Sequence, residues 1–136
     1  MAHSKFRAEV LTPEGEVFND EVELVSTKTA VGSIGILAHH EPVLAMLDPT
    51  ELRLYKTESE VVRFAQAEGY LQMADNHVLI LVEEAMAPGD LDAGSLRERL
   101  QQAERELESA GDDSEKRRFA QRDKDRLEQF LKIAEG

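Results

Sequence analysis

Residues 78–100 read "VLILVEEAMAPGDLDAGSLRERL", and the hydrophobic period changes inside that stretch. Val78 to Val82 is a continuous apolar run, which predicts a strand buried on both faces. "APGD" at 87–90 is a breaker and a natural hinge. Beyond it, Ser95 and Glu98 have the spacing of a capping box, in which a hydroxyl and a carboxylate satisfy free amides at a helix start. Leu96, Leu100, Ala103 and Leu107 then fall on one helical stripe. The chain therefore passes from β to α near residue 88. The prediction is an α+β protein, with a β domain over 1–88 and a two-helix antiparallel hairpin over 89–136.

Upstream of that point the period is two. Phe6, Ala8 and Val10 alternate with Lys5, Arg7 and Glu9. Val22 and Leu24 alternate with Glu21 and Glu23, and Leu52 and Leu54 with Glu51 and Arg53. Such patterns put one face on a core and one in water. Turn signals separate the runs: "TPEG" at 12–15, "DP" at 48–49, "KTES" at 56–59 and "ADN" at 74–76. Short strands at this spacing predict a sandwich or barrel.

Downstream, "SAGDD" at 109–113 ends the first helix, and a second is expected from about Ser114 to Ala134. Its apolar residues are Phe119, Leu127, Phe130, Leu131, Ile133 and Ala134, with a charged gap between Phe119 and Leu127. The stripe is thin. Leu96, Leu100 and Leu107 contribute roughly 1.5–3 kcal/mol each even if fully covered, against the entropy of ordering the whole hairpin. The hairpin is expected to dock on the β half or on a partner, and to detach easily.

Composition excludes several classes. The net charge is −12, with −9 in residues 1–89 and −3 in residues 90–136. Phosphate backbones and anionic lipid need a basic field, so nucleic acid and direct membrane adsorption are disfavoured. No cysteine is present, which removes disulfides and thiolate metal sites. No apolar run approaches the roughly 18 residues of a membrane span, and the start lacks the apolar core of a signal peptide. A soluble, cytosolic chain is expected.

"GSIGILAHHEP" at 32–42 is the most unusual stretch. His39, His40 and Glu41 are metal-ligand types, but neighbours on a strand point to opposite faces and cannot easily share an ion. No metal site is expected. "GSIG" lacks the lysine and spacing of a phosphate loop, so Gly32 and Gly35 read as backbone freedom at a turn or bulge. No nucleophile–base arrangement stands out, and Glu83-Glu84 is most simply a solvated pair. On the second helix, Lys116, Arg117, Arg118, Arg122 and Arg126 admit three readings: a solvated face with i,i+4 pairs, a contact with an acidic partner, or a phosphate site.

With those residues in view, the chain resembles the epsilon subunit of the F-type ATP synthase of bacteria (the delta subunit in mitochondrial naming). "VLTPEGEVFNDEVELVSTKT" is similar to the family's opening strands. "GSIGILAHHEPVLAML" is similar to its motif "G-x-[IL]-G-[IL]-L-P-x-H-x-P-[LV]". "AEGYLQMADNHVLILVEEA" is similar to the strand pair "G-G-x-L-E-V-x-x-x-x-V-T-[IV]-L", and "DLD" at 90–92 opens the hairpin. There are departures. The family's "L-P-G-H" is here Leu37 to His40, "LAHH"; its double glycine is Glu68-Gly69; and its frequent glutamate between the motif glycines is Ser33.

The resemblance implies a flattened β-sandwich followed by two helices, in a non-catalytic subunit of a proton-transporting complex. It implies binding to the gamma shaft and the ring of c subunits through Gly32, Ser33, Ile34, Gly35, Ile36 and His40. It implies a regulatory hairpin that folds back, or rises to meet the alpha and beta subunits and inhibits ATP hydrolysis through Arg118, Arg122 and Arg126. No cofactor is implied. ATP is a regulatory ligand of some members through "[IL]-D-x-x-R-A". Here Leu91 and Asp92 match its start, Arg122 and Arg126 resemble later arginines, and Arg97 fits only across an insertion. Weak or absent ATP binding is expected. The location implied is peripheral, on the cytoplasmic face of the cell membrane. Two other classes compete on residues alone: a free-standing β-sandwich adaptor with a coiled-coil arm, and a small enzyme with a site on the sandwich.

Overall fold

The computed structural model describes His3–Gly136. The chain divides into two compact units, one ending at Ala87 and the other spanning Pro88–Gly136.

Among the described residues the first unit has ten strands: β1 (Phe6–Thr12), β2 (Gly15–Val22), β3 (Leu24–Thr29), β4 (Gly32–Leu37), β5 (Val43–Leu47), β6 (Thr50–Tyr55), β7 (Val61–Gln66), β8 (Gly69–Ala74), β9 (His77–Val82) and β10 (Ala85–Met86). They hydrogen-bond along the path β10-β7-β6-β3-β5-β8-β9-β1-β2, and β4 also pairs with β3. β1 runs parallel to β9, and the other pairs are antiparallel. The inward faces meet in one core that includes Phe6, Val10, Val22, Val25, Ile36, Leu52, Leu54, Leu71, Met73, Val78 and Ile80. This is the β-sandwich, with helices after it, that the two periods predict.

The alternation holds in β1 and β6, where Phe6, Ala8, Val10, Leu52 and Leu54 are buried. It fails at 22–24. Glu23 lies between β2 and β3 and is itself buried, while Leu24 is half-buried and Val25 enters the core. The Glu23 amide donates to the Tyr55 carbonyl at 2.7 Å, so the chain changes face there instead of continuing one strand. The expectation for Val78–Val82 also fails. Val78, Ile80 and Val82 point inward, but Leu81 is 46% exposed.

Gln66 is wholly buried and satisfied. It accepts from the Thr27 hydroxyl (2.5 Å) and donates to the carbonyls of Asp48 (2.9 Å) and Ala67 (3.2 Å). A buried amide with its partners in place pins β7 to β3 and to the β5–β6 turn. At the surface, Lys56 Nζ lies 3.0 Å from Asp20. The Lys56 hydrogen bond lowers the Asp20 carboxyl pKa, and Asp20 raises that of Lys56.

The second unit begins with a 3-10 turn, Pro88–Asp90, followed by α1 (Ala93–Ser109) and α2 (Ser114–Glu135). The short connection over 110–113 and the Arg97–Glu135 pair (3.8 Å) set the helices antiparallel. The cap of α1 is Asp92, not the Ser95–Glu98 box. Its Oδ1 accepts from the amides of Gly94 (3.0 Å) and Ser95 (3.3 Å). Asp113 caps α2 through the Lys116 amide at 3.1 Å. Leu96, Ala103, Ala120, Leu127 and Phe130 are buried. Phe119 is not part of that stripe: it is 43% exposed, and Ala120 takes the inner position.

Candidate partner interface

The stretch 32–42 forms an edge and a turn. β3 and β4 are joined by Ala30 and Val31, with Thr29 paired to Gly32. The Thr29 hydroxyl accepts from the Val31 amide (3.2 Å) and donates to the Gly32 carbonyl (2.8 Å), which stiffens the apex. Gly32 has φ +137°, a backbone state that side chains disfavour. Val31, at the tip, is 99% exposed.

Among the described residues, no strand pairs with the outer edge of β4. Edge strands are usually blunted by charge or proline. "GSIGIL" carries neither. By contrast β2, the edge at one end of the path, carries Glu16, Asp20 and Glu21. Ser33, Gly35 and Leu37 of β4 are exposed, Gly32 and Ile34 are half-buried, and Ile36 lies in the core. Ile36 therefore supports the strand from within, and only its neighbours can meet a partner.

β5 continues this surface. The Ala30 amide donates to the Met46 carbonyl at 3.0 Å, joining the apex to β5. On the outer face Met46 stands opposite Tyr70 of β8, and Tyr70 opposite Leu81 of β9. Leu44, Met46, Tyr70 and Leu81 are all exposed, Leu44 at 73%. Adjacent strands are about 4.8 Å apart, so these side chains form one contiguous apolar patch rather than scattered exposures. Sequence reasoning missed it. The signal was present in the unbroken runs "VLAML" and "VLILV", whose outer residues are apolar without being buried.

His40 sits between β4 and β5, half-buried. Its amide donates to the Leu37 carbonyl (3.2 Å), and its Nδ1 lies 2.7 Å from the Glu41 carbonyl oxygen.

On the helical unit, Arg118 and Arg122 lie over the exposed Phe119 ring, at 5.5 and 5.0 Å from its centroid. Arg126 faces elsewhere. It lines a groove of about 210 Å³ between α1 and α2, with Arg99, Gln102, Glu106 and Asp123. The five residues of the nucleotide reading are not brought together. Asp92 caps α1, Arg97 turns to Glu135, and Arg122 lies over Phe119. Arg99, not Arg97, shares a groove with Arg126. Among the described residues no cluster of three or more His, Asp or Glu is set to hold a metal, and no helix is long and apolar enough to cross a membrane.

Residues 5–88 match the family model of the ATP synthase delta/epsilon chain, beta-sandwich domain. The ATP synthase epsilon chain of Sulfurihydrogenibium sp. is 30% identical over 129 residues, 95% of this chain and 96% of that one. That of Rubrobacter xylanophilus is 39% identical over 98 residues, 72% of this chain and 66% of the relative. That of Halalkalibacterium halodurans is 38% identical over 101 residues, covering 74% and 75%. Among solved structures, a chain of the Euglena gracilis mitochondrial ATP synthase is similar with TM-score 0.79 at 20% identity, over 97% of this chain and 82% of that one. A chain of the Tetrahymena thermophila mitochondrial ATP synthase central stalk and c-ring gives TM-score 0.64 at 21% identity, covering 98% and 99%. At these identities the two structures speak for the fold alone.

Proposed function

The chain belongs to the ATP synthase delta/epsilon family, and from that premise we propose that it is a non-catalytic rotor subunit joining the gamma shaft to the ring of c subunits. The observation that carries this reading is the uncharged, exposed surface of the sandwich: the β3–β4 apex with Val31, the edge of β4, and the apolar face of Leu44, Met46, Tyr70 and Leu81. An enzyme would place converging polar groups in a concave site. This surface is apolar and broad, as suits a protein partner.

In this reading gamma covers the outer face of β5, β8 and β9 beside His40. The c-ring meets the apex and the exposed residues of β4, Ser33 among them. The subunit thereby couples rotation to proton translocation and sits at the cytoplasmic face of the membrane without entering it. Residues 1–88 form the anchoring domain and residues 89–136 a regulatory hairpin. When raised, that hairpin inhibits ATP hydrolysis by meeting acidic segments of the alpha and beta subunits through Arg118, Arg122 and Arg126. The test is direct. Purified chain and gamma subunit, mixed at micromolar concentration, should co-elute in size-exclusion chromatography. Separate elution overturns the reading.

A further inference from the structure

The turn that presents His40 lacks the residues such a turn prefers. The His40 amide closes it onto the Leu37 carbonyl at 3.2 Å. Its third residue, His39, has φ +63°. A four-residue turn with a left-handed third position favours glycine or asparagine there, with proline second. Here Ala38 and His39 hold those places. Ala38 does not preset φ, and histidine, though it tolerates the left-handed region better than most side chains, enters it less readily than glycine.

What holds the turn comes from another hairpin. The His39 amide donates to Asn76 Oδ1 at 2.7 Å. Asp75 and Asn76 link β8 to β9, with φ +52° and +58° and Ala74 paired to His77. This is the backbone of a primed hairpin turn, whose twist matches the strands it joins. Asn76 is thus held in a hairpin turn between paired strands, and its amide oxygen reaches a turn that has neither proline nor glycine at its centre. Glycine would serve the β8–β9 turn equally well. Only a side chain with an acceptor can reach His39.

We propose that Asn76 is a positioning residue: it clamps the His39 peptide and so sets how His40 and the start of β5, with Leu44, are offered to a partner. The proposal rests on the gamma-binding reading for its consequence, but not for the clamp itself.

Four full-length forms test it: wild type, Asn76→Gly, Asn76→Asp, and Asn76→Gly combined with Ala38→Pro and His39→Gly. Aspartate keeps an acceptor and tolerates the left-handed state. Exchange of the residue 39 amide should accelerate in Asn76→Gly by roughly two- to tenfold, the range of one net hydrogen bond. The affinity for gamma should fall by a similar factor in a variant that stays fully folded at the temperature of the measurement. Asn76→Asp should behave as wild type. The triple variant should regain affinity, because proline at position 38 and glycine at position 39 supply the turn chemistry directly. Unchanged His39 exchange in Asn76→Gly overturns the clamp. So does faster exchange with undiminished gamma affinity, or a failure of Asn76→Asp to protect the amide. If the wild type does not bind gamma, the functional reading falls, and the exchange measurement alone decides whether Asn76 fixes the turn.

Discussion

Gly69 packs against the backbone of Val82. A β-carbon added to it would lie 2.7 Å from the Val82 Cα and fall against the Leu81 carbonyl oxygen. The two residues are register partners in β8 and β9, and the strands close up at this point because one of them has no side chain. The position before it holds Glu68, so the close approach rests on Gly69 alone. The geometry leaves no room for a side chain at Gly69. Gly69→Ala should destabilise the sandwich by about 1–3 kcal/mol, the range for forced overpacking. Urea denaturation followed by circular dichroism measures it, and a change under about 0.5 kcal/mol contradicts the contact.

The outer apolar patch makes a separable prediction. Met46 is 61% exposed and opposes Tyr70, so replacing it removes little core packing. Met46→Glu should leave stability within about 0.5 kcal/mol of wild type. It should weaken gamma binding at least about tenfold, which corresponds to about 1.4 kcal/mol, because a charge would be buried opposite Tyr70. Surface plasmon resonance against immobilised gamma reads the affinity. Normal binding would move the interface off this face.

The proposed domain boundary can be tested by cutting the chain. Every residue of the main core lies between Phe6 and Val82, and the division between the units falls at Ala87–Pro88. A chain ending after Ala87 should keep a single cooperative β-type thermal transition. A molten or insoluble product would mean that residues 88–136 complete the core.

How far the fold is legible in the sequence follows from which forces act locally. Alternation in β1 and β6 is readable because side-chain direction there follows the pleat without interruption. It misleads at Glu23 because a change of strand resets the parity, and no residue type marks that point. "VLILV" misleads because an apolar residue type alone does not tell a buried position from an exposed one, and Leu81 stands on the outer face. On α2, Phe119 attracts the apolar assignment, yet one step on the helix moves a residue about 100° around it, and Ala120 holds the inner place. Asp92 reads as a nucleotide ligand or as a cap, and in the structure its Oδ1 caps the amides of Gly94 and Ser95. Gln66 and Asn76 are invisible because their partners lie 39 and 37 residues away. Arg99 escapes notice because its groove mate Arg126 is on the other helix.

Phe119 with its two arginines bears on the proposed regulatory role of the hairpin. Arg118 and Arg122 are held over an exposed ring, an arrangement worth about 0.5–1 kcal/mol at the surface. That is small for folding, yet it keeps two guanidinium groups together on one side of α2, where a carboxylate-rich partner could take both. Replacing Arg118 and Arg122 by alanine should lower hairpin stability by no more than about 1–2 kcal/mol and raise ATP hydrolysis in a reconstituted head complex. Unchanged hydrolysis with the variant still bound would remove these residues from inhibition.

ATP binding by the isolated chain should be weak or absent, and the reason is geometric. A nucleotide site in the hairpin would need Asp92, Arg97, Arg122 and Arg126 to converge. Instead Asp92 engages its Oδ1 with two helix amides, and Arg97 points to Glu135. Arg122 stacks on Phe119. Arg99 and Arg126 share a groove, but Glu106 and Asp123 line it too. Two carboxylates beside two guanidinium groups leave little net attraction for a polyphosphate, and the chain as a whole carries −12. Each bidentate contact to phosphate that is missing removes about 1.5–3 kcal/mol. Isothermal titration with ATP should therefore give a dissociation constant above about ten micromolar, weaker than roughly −6.8 kcal/mol. Tighter binding would require Arg99 and Arg126 to act together on the phosphates. Arg99→Ala would then abolish it while Arg97→Ala would leave it intact, and that pair of variants separates a groove site from the motif site.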